Sequence, residues 1–420
     1  MNIQNISTFR AFRSANYTLY FLGRSISQFG TWMQRTAVVW VVYSVTHSEF
    51  MLGLTLFAEL FPSFLFSVFG GIAADRYNRY TIIKITQITS MIQASLLAIL
   101  MLTERYVMWE ILTLSVILGI INAFDVPARQ SLINEVVNDP ADLPSALSLS
   151  AAMASIAKLL GPALSGIILE KFGAGICFLL NAASFGGVML SLVFMKLPPA
   201  SLRKPKKRVF AELVEGFNYL KHTPSIGLVI VALSIISLLV LPYDTLLPVF
   251  AQDIFKGNAA TFGYISSFIG LGAVSGTVLL ASVKQADALR KILWISSLIL
   301  SIGLVCFSYS SNFGVAMFFA VLMGFGAGTQ FTACNIIVQA EAAPEMRGRA
   351  ISILLTAIFG MLPLGSLLIG AISQQIGAAH TIFWEGLAGI AIALIFAFAL
   401  KKQTPVKANP PSVKAHTEYS

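Results

Sequence analysis

Gly70-Gly71-Ile72-Ala73-Ala74-Asp75-Arg76-Tyr77-Asn78-Arg79-Tyr80 separates two apolar runs, Phe50 to Ala73 and Thr81 to Leu102. A helix needs ~20 apolar residues to cross a bilayer, and both runs reach that length. The few polar residues between them must turn the chain at a membrane surface. Gly70 and Gly71 allow close helix approach, while Asp75, Arg76 and Arg79 offer charge-assisted bonds to neighbouring helix ends. From the residues alone, the turn either fixes orientation through its basic charge or pairs with another helix.

Composition extends this reading to the whole chain. Of 420 residues 56% are hydrophobic and only 11% charged, and mean hydropathy is +0.79. A soluble domain carries about twice that charged fraction, so most of this surface faces lipid. A formal charge of +9 would suit a nucleic-acid binder, but the placement of the basic residues argues against one. One set of short loops holds Arg105, Lys171 and Lys256. The other holds Arg10, Arg13, Arg76, Arg79, Lys84, Arg129, the 196–221 cluster, Lys284, Arg290, Lys291, Arg347, Arg349 and the tail lysines. This is the positive-inside pattern, and it predicts a multi-pass membrane protein with both termini in the cytoplasm. Cys177, Cys306 and Cys334 all lie inside apolar runs, so no disulfide framework or metal-ligand cluster is legible. No nucleotide-binding loop, nucleophile elbow or zinc motif occurs, so no enzymatic activity and no cofactor is expected.

Twelve apolar runs can be drawn, near 18–44, 50–73, 80–103, 108–128, 145–169, 173–195, 225–249, 261–283, 291–309, 313–335, 350–372 and 380–400. Backbone polar groups in hydrocarbon must be satisfied within each segment, and barrel-type alternation is absent, so the runs are helices. The predicted fold is all-α: a six-helix bundle over 1–196, a basic linker over 197–223, a second six-helix bundle over 224–400 and a tail over 401–420. In the linker Val209, Leu213, Phe217 and Leu220 share one helical face, which predicts a helix lying on membrane lipid. Gly119, Asn122, Asp125, Asn134 and Pro140 are echoed by Gly324, Gln330, Asn335, Gln339 and Pro344 at a shift of roughly 200 residues, consistent with paired halves around a midplane site.

Polar residues deep in a span are costly and become functional candidates. Arg24, Gln28, Thr31 and Arg35 share a face of the first run, and Glu59 lies in the second. Counted from the turn at Thr46 to Glu49, Arg35 and Glu59 lie at equal depth, about 15 Å from the surface. Antiparallel neighbours at equal depth can pair, so the two are expected to face a central cavity and interact directly or through water, or else to form a static lock. Asn122, Asp125 and Arg129 share a face of the fourth run, with Asp125 placed about one turn from the surface near Arg76 and Arg79. Lys158 in the fifth run either meets an anionic substrate or serves as a counter-ion. Asp244 and Glu385 are expected at solvated rims, while Asn335 and Gln339 are expected to line the cavity.

The turn itself, G-x-x-x-D-R-x-x-R, resembles the signature loop of the major facilitator superfamily, with Gly71, Asp75, Arg76 and Arg79 on its positions and Asn78 and Tyr80 departing from them. Gly161, Pro162 and Gly166 resemble a motif of that superfamily's exporters, with Ala157 and Ser165 in place of glycines. The run Asn122-Ala-Phe-Asp125-Val-Pro-Ala-Arg129-Gln-Ser resembles the branch of enterobactin exporters and macrolide efflux proteins. The resemblance implies a monomeric secondary transporter that exports a small amphiphilic molecule by alternating access, in exchange for protons. It further implies a latch in which the loop arginines engage Asp125 and Asp75 faces the eleventh helix. An importer or lipid-handling carrier of the same fold is the alternative within the class. A membrane-embedded enzyme or a receptor would need clustered catalytic side chains or a sizeable soluble domain, and neither is visible.

Overall fold

The computed structural model describes residues 7–195, 209–280, 283 and 286–402; the 197–208 part of the predicted linker and the tail beyond 402 lie outside it. The described residues form helices and connecting turns without a strand. The first bundle contains α1 (Ala15–Thr46), α2 (Glu49–Arg76), α3 (Arg79–Leu102), α4 (Met108–Val136) and the Leu143–Phe194 segment. Gly173 divides that segment at φ 80°, a left-handed turn that glycine adopts without strain, into α5 (143–172) and α6 (174–194). Gly377, at φ 85°, makes the corresponding turn in the second half. After α7 (Val209–His222) the second bundle follows as α8 (Pro224–Leu239), α9 (Ala259–Leu280), α10 (Ala286–Ser308), α11 (Phe313–Glu341), α12 (Arg347–Ile376) and α13 (Ala378–Lys402).

Local chemistry sets several of these ends. Ser48 accepts from the Met51 amide at 3.3 Å and starts α2. Asn78 accepts from the Tyr80 amide at 2.9 Å and starts α3, which gives the departing residue of the signature turn a capping role. Beyond Leu239 the chain changes winding, through a 3-10 segment (Leu241–Leu246) to a π turn (Phe250–Ile254). Pro242 and Pro248 each lack an amide hydrogen, so a regular α ladder cannot run through this stretch.

Call the face carrying Ser7 and Lys402 the near face, and the opposite one the far face. The bundles meet chiefly through α2 against α12 and α5 against α9. In the far half one apolar core runs through both bundles, joining Val42, Leu52 and Phe178 with Phe250, Ile265 and Ile382. Toward the near face the cores part, one built from residues of the second bundle and one from the first. The hydrogen bonds joining the bundles cluster at the far side. Tyr43 donates to the Asp253 carboxylate. Ser48 donates to Gln374 at 2.7 Å, and Asn258 donates to Glu170 at 2.6 Å.

The linker helix differs from expectation. On α7, Leu220 is buried in the second bundle's near-face core while Val214 and Phe217 are exposed. Glu215 pairs with Arg349 at 2.6 Å, and the Tyr219 hydroxyl accepts from the Ala343 amide at 3.1 Å. Contacts with the bundle therefore orient this helix as much as any apolar stripe does; the Val209 and Leu213 side chains lie outside the description.

Candidate functional site: a charged cavity between two bundles

The polar face of α1 opens onto a cavity of about 230 Å³. Arg24, Gln28, Thr31 and Arg35 line it, together with Glu59, Asn122 and Asp125. Helix packing explains which residues meet across it. α1 lies along α5 and α2 lies along α4, so α1 and α2 face each other across space although they are consecutive in the chain. A Cβ on Gly119 would collide with the Glu59 carbonyl, which fixes α2 to α4 at that level.

Arg35 and Glu59 both line this cavity, but no direct ion pair joins them. Arg35 reaches instead to Asp244 in the other bundle, at 3.9 Å, with its guanidinium 5.6 Å from the Trp32 ring. Glu59 has no ion-pair partner among the described residues. α1 packs chiefly along α5 and α6 and α2 chiefly along α4, so adjacency in sequence does not bring these two side chains together.

Asp125, too, has partners other than those expected. It pairs with Arg129 at 2.5 Å and accepts from Thr86 at 2.8 Å and Gln87 at 3.0 Å. Neither Arg76 nor Arg79 reaches it. The reason is length: α4 continues through Pro127 to Val136, which leaves Asp125 about 16 Å from the helix end. Glu135 occupies that end and takes Arg79, whose Nε also donates to the Ala74 carbonyl at 3.0 Å. The second bundle repeats the device, with Arg290 at the start of α10 gripping Glu341 at the end of α11 at 2.7 Å. Asp75 and Arg76 are exposed, and Asp75 makes no ion pair with α12. A Cβ on Gly71 would meet nothing within 4 Å, whereas Gly70 is the glycine pressed against α4 at Ala123.

Asn335 donates to the Phe331 carbonyl of its own helix at 3.0 Å, and Gln339 is exposed; neither borders the cavity. Gln330, one turn earlier, is the buried amide of α11 and donates to Ser297 at 2.7 Å. A deeper amide network joins α1, α3 and α6. Gln34 donates to Gln93 at 3.0 Å, Asn181 donates to Gln34 at 2.7 Å, and Gln93 donates to the Leu114 carbonyl at 3.1 Å. Its trace in the sequence is the spacing Gln87, Ser90, Gln93 on one face of α3.

The proline motif of α5 lies at the crossing of the bundles. Gly161 backs onto Trp32, and Gly166 leaves room for the Ala259 and Ala260 backbone of α9. Pro162 cannot donate to the Lys158 carbonyl, and Gly270 of α9 sits against that carbonyl. The Ala163 amide donates across the boundary to Ser267 at 3.0 Å. The Lys158 side chain is exposed, within electrostatic reach of Asp244 and Arg35.

A family profile described as a transmembrane secretion effector matches residues 6–417. The chain belongs to that family, within the major facilitator superfamily. The staphyloferrin A transporter of Staphylococcus aureus is 27% identical over 92% of this chain and 96% of its own. The enterobactin exporter EntS of Shigella flexneri is 23% identical over 99% of this chain and 98% of its own. A bacterial homologue of the lysosomal transporter Spinster, solved in an inward-facing unoccupied conformation, superposes with a TM-score of 0.69 at 15% identity, covering 93% of this chain and 99% of that one.

This secretion effector is thus a multi-pass membrane transporter with the all-α fold of the superfamily. Two expected rim residues of the secretion effector are placed elsewhere. Asp244, half-exposed, belongs to the inter-bundle ion pair. Glu385 is buried at 2% exposure, and among the described residues neither of its carboxyl oxygens has a hydrogen-bond partner.

Proposed function

We propose that this transporter exports a small amphiphilic molecule across the cytoplasmic membrane in exchange for protons, by alternating access between its two bundles. One observation carries the reading: the bundles share a core at the far face and part toward the near face, with a charged cavity beneath the seal. The near face is the cytoplasmic one, supported by Arg10, Arg76, Arg79, Arg290, Lys291 and Arg347 there against Arg105, Lys171 and Lys256 on the other side. The conformation is then inward-open, ready to take cargo from the cytoplasm.

The cargo class follows the relatives, whose names specify staphyloferrin A and enterobactin. Arg24, Arg35 and Lys158 supply charge for polar groups of the cargo, and Glu59 is the unpaired carboxyl that carries the proton. Gly71, Asp75 and Arg76 stand free on the near face, available to meet the start of α12 when that face closes. The Arg79–Glu135 and Arg290–Glu341 pairs hold the helix ends within each bundle through the cycle. The chain works as a monomer in lipid and uses no cofactor.

Inside-out vesicles with an acidic lumen test both halves of the proposal. They should accumulate a labelled siderophore, macrolide or dye, and accumulation should stop when a protonophore collapses the pH gradient. Accumulation that survives collapse refutes proton exchange; no accumulation of any compound refutes export.

A further inference from the structure

Glu385 is an acid that the transport cycle above leaves unused, and its surroundings are unusual. It lies on α13, seven residues past its start at the far face, or about 10 Å deep. At 2% exposure it has neither a counter-charge nor a hydrogen-bond donor for either oxygen among the described residues. Gly386 and Gly389 bring the helix against Ser301 and Val305 of α10, which offer no charge. The α8 and α12 stretches packed on α13 carry no acid or base at this level. From the irregular segment that follows α8 come Tyr243 and Asp244, and Tyr243 lies within electrostatic reach of both Asp244 and Glu385. On α13 itself, His380 is bonded to the Ile376 carbonyl near the far face.

A carboxylate sealed in this way is strongly disfavoured, while the neutral acid is tolerated. Its neighbour is the segment where, among the described residues of the second bundle, helical winding turns from α to 3-10 and π, and that segment holds the Arg35 partner Asp244. Ser237 and Thr245, on either side of Tyr243, are fully buried with unpartnered hydroxyls, so this stretch has polar atoms free to find new partners when it moves.

We propose that Glu385 is a proton-binding site whose occupancy favours the conformation closed at the far face. The proton comes from bulk water and returns to it. Loss of the proton leaves a buried anion, which opening α13 from Tyr243 and Asp244 exposes to water, and that opening loosens the Arg35 bridge between the bundles. The inference rests on proton exchange as the driving reaction, and its test needs no cargo.

Purified protein in nanodiscs is titrated by infrared difference spectroscopy, reading the carbonyl stretch of neutral carboxylic acids. In parallel, spin labels on Asn138→Cys and Glu345→Cys report the near-face separation of the bundles. The wild type should show a neutral-acid band that E385Q lacks and E385D keeps. Its near-face distance should shorten as pH rises, and E385Q should hold the long distance at every pH. A band unchanged in E385Q overturns the proposal. A lost band with an unchanged pH response of the distance overturns it too, since Glu385 would then be a static neutral acid. Should vesicle transport prove independent of the pH gradient while both signals behave as expected, the fault lies with proton exchange and not with this site.

Discussion

The Arg35 guanidinium of α1 lies 3.9 Å from the Asp244 carboxylate of the opposite bundle, and the two side chains remain 33% and 55% exposed. A pair so wet contributes at most about 1 kcal/mol to folding. Its position matters more than its strength, because the alternating access proposed above must break every contact that crosses between the bundles on the closed side.

Asp244→Asn should therefore leave the melting temperature within about 2 °C of wild type, while lowering export about tenfold or more, equivalent to ~1.4 kcal/mol on the cycle. The reversed pair Arg35→Asp with Asp244→Arg should recover part of the rate. Thermal melts and vesicle uptake check this; a melting temperature that falls steeply in Asp244→Asn contradicts it.

Removing Tyr43's hydroxyl takes away its bond to Asp253 at the far seal. Tyr43→Phe should shift the balance toward a far-open state by about 1 kcal/mol, a several-fold change in population. Spin labels on Glu104→Cys and Ser311→Cys, in far-face loops of the two bundles, should report a larger long-distance fraction. An unaltered distance distribution would show that the seal is held by packing alone.

The glycines divide by what they touch. Gly119→Ala pushes a methyl into the Glu59 carbonyl and should cost about 1–3 kcal/mol of stability. Gly71→Ala meets nothing here and should stay within about 0.5 kcal/mol, yet slow transport if the near face closes onto it. Equal melting of the two variants in detergent would contradict the assignment.

At the near face, Glu341→Gln leaves Arg290 half-buried without its two-oxygen partner. A loss of about 1–3 kcal/mol follows. Arg290→Gln combined with Glu341→Gln should lose less than the sum of the single variants, since the second change removes a charge already unpaired. Strict additivity would mean that the pair contributes nothing.

Much of this was legible in the residues. The 24, 28, 31, 35 face of α1 borders the cavity because helical periodicity alone puts those residues on one side. The repeat drawn from Gly119 and Gly324 has a physical basis, since each sits on a carbonyl of the neighbouring helix, Glu59 in one half and Ile269 in the other. Partners were harder to read. The polar run after Asn122 reads as a helix end close to the loop arginines, and nothing local reveals that α4 continues through Pro127. Asp244 and Glu385 both read as rim residues, yet one meets Arg35 and the other meets no partner among the described residues.

Apolar length and helical period are local properties, so the amino-acid order was enough to specify an all-α membrane fold of ten or more spanning helices and the polar face of α1. Which acid meets which base depends on which helices touch, and here consecutive helices are often not neighbours. Hydrocarbon imposes no preference among apolar faces, so small residues at crossings such as Gly119 and Gly166 select the contacts. Only their packing in three dimensions could send Arg35 across to Asp244 and bury Glu385.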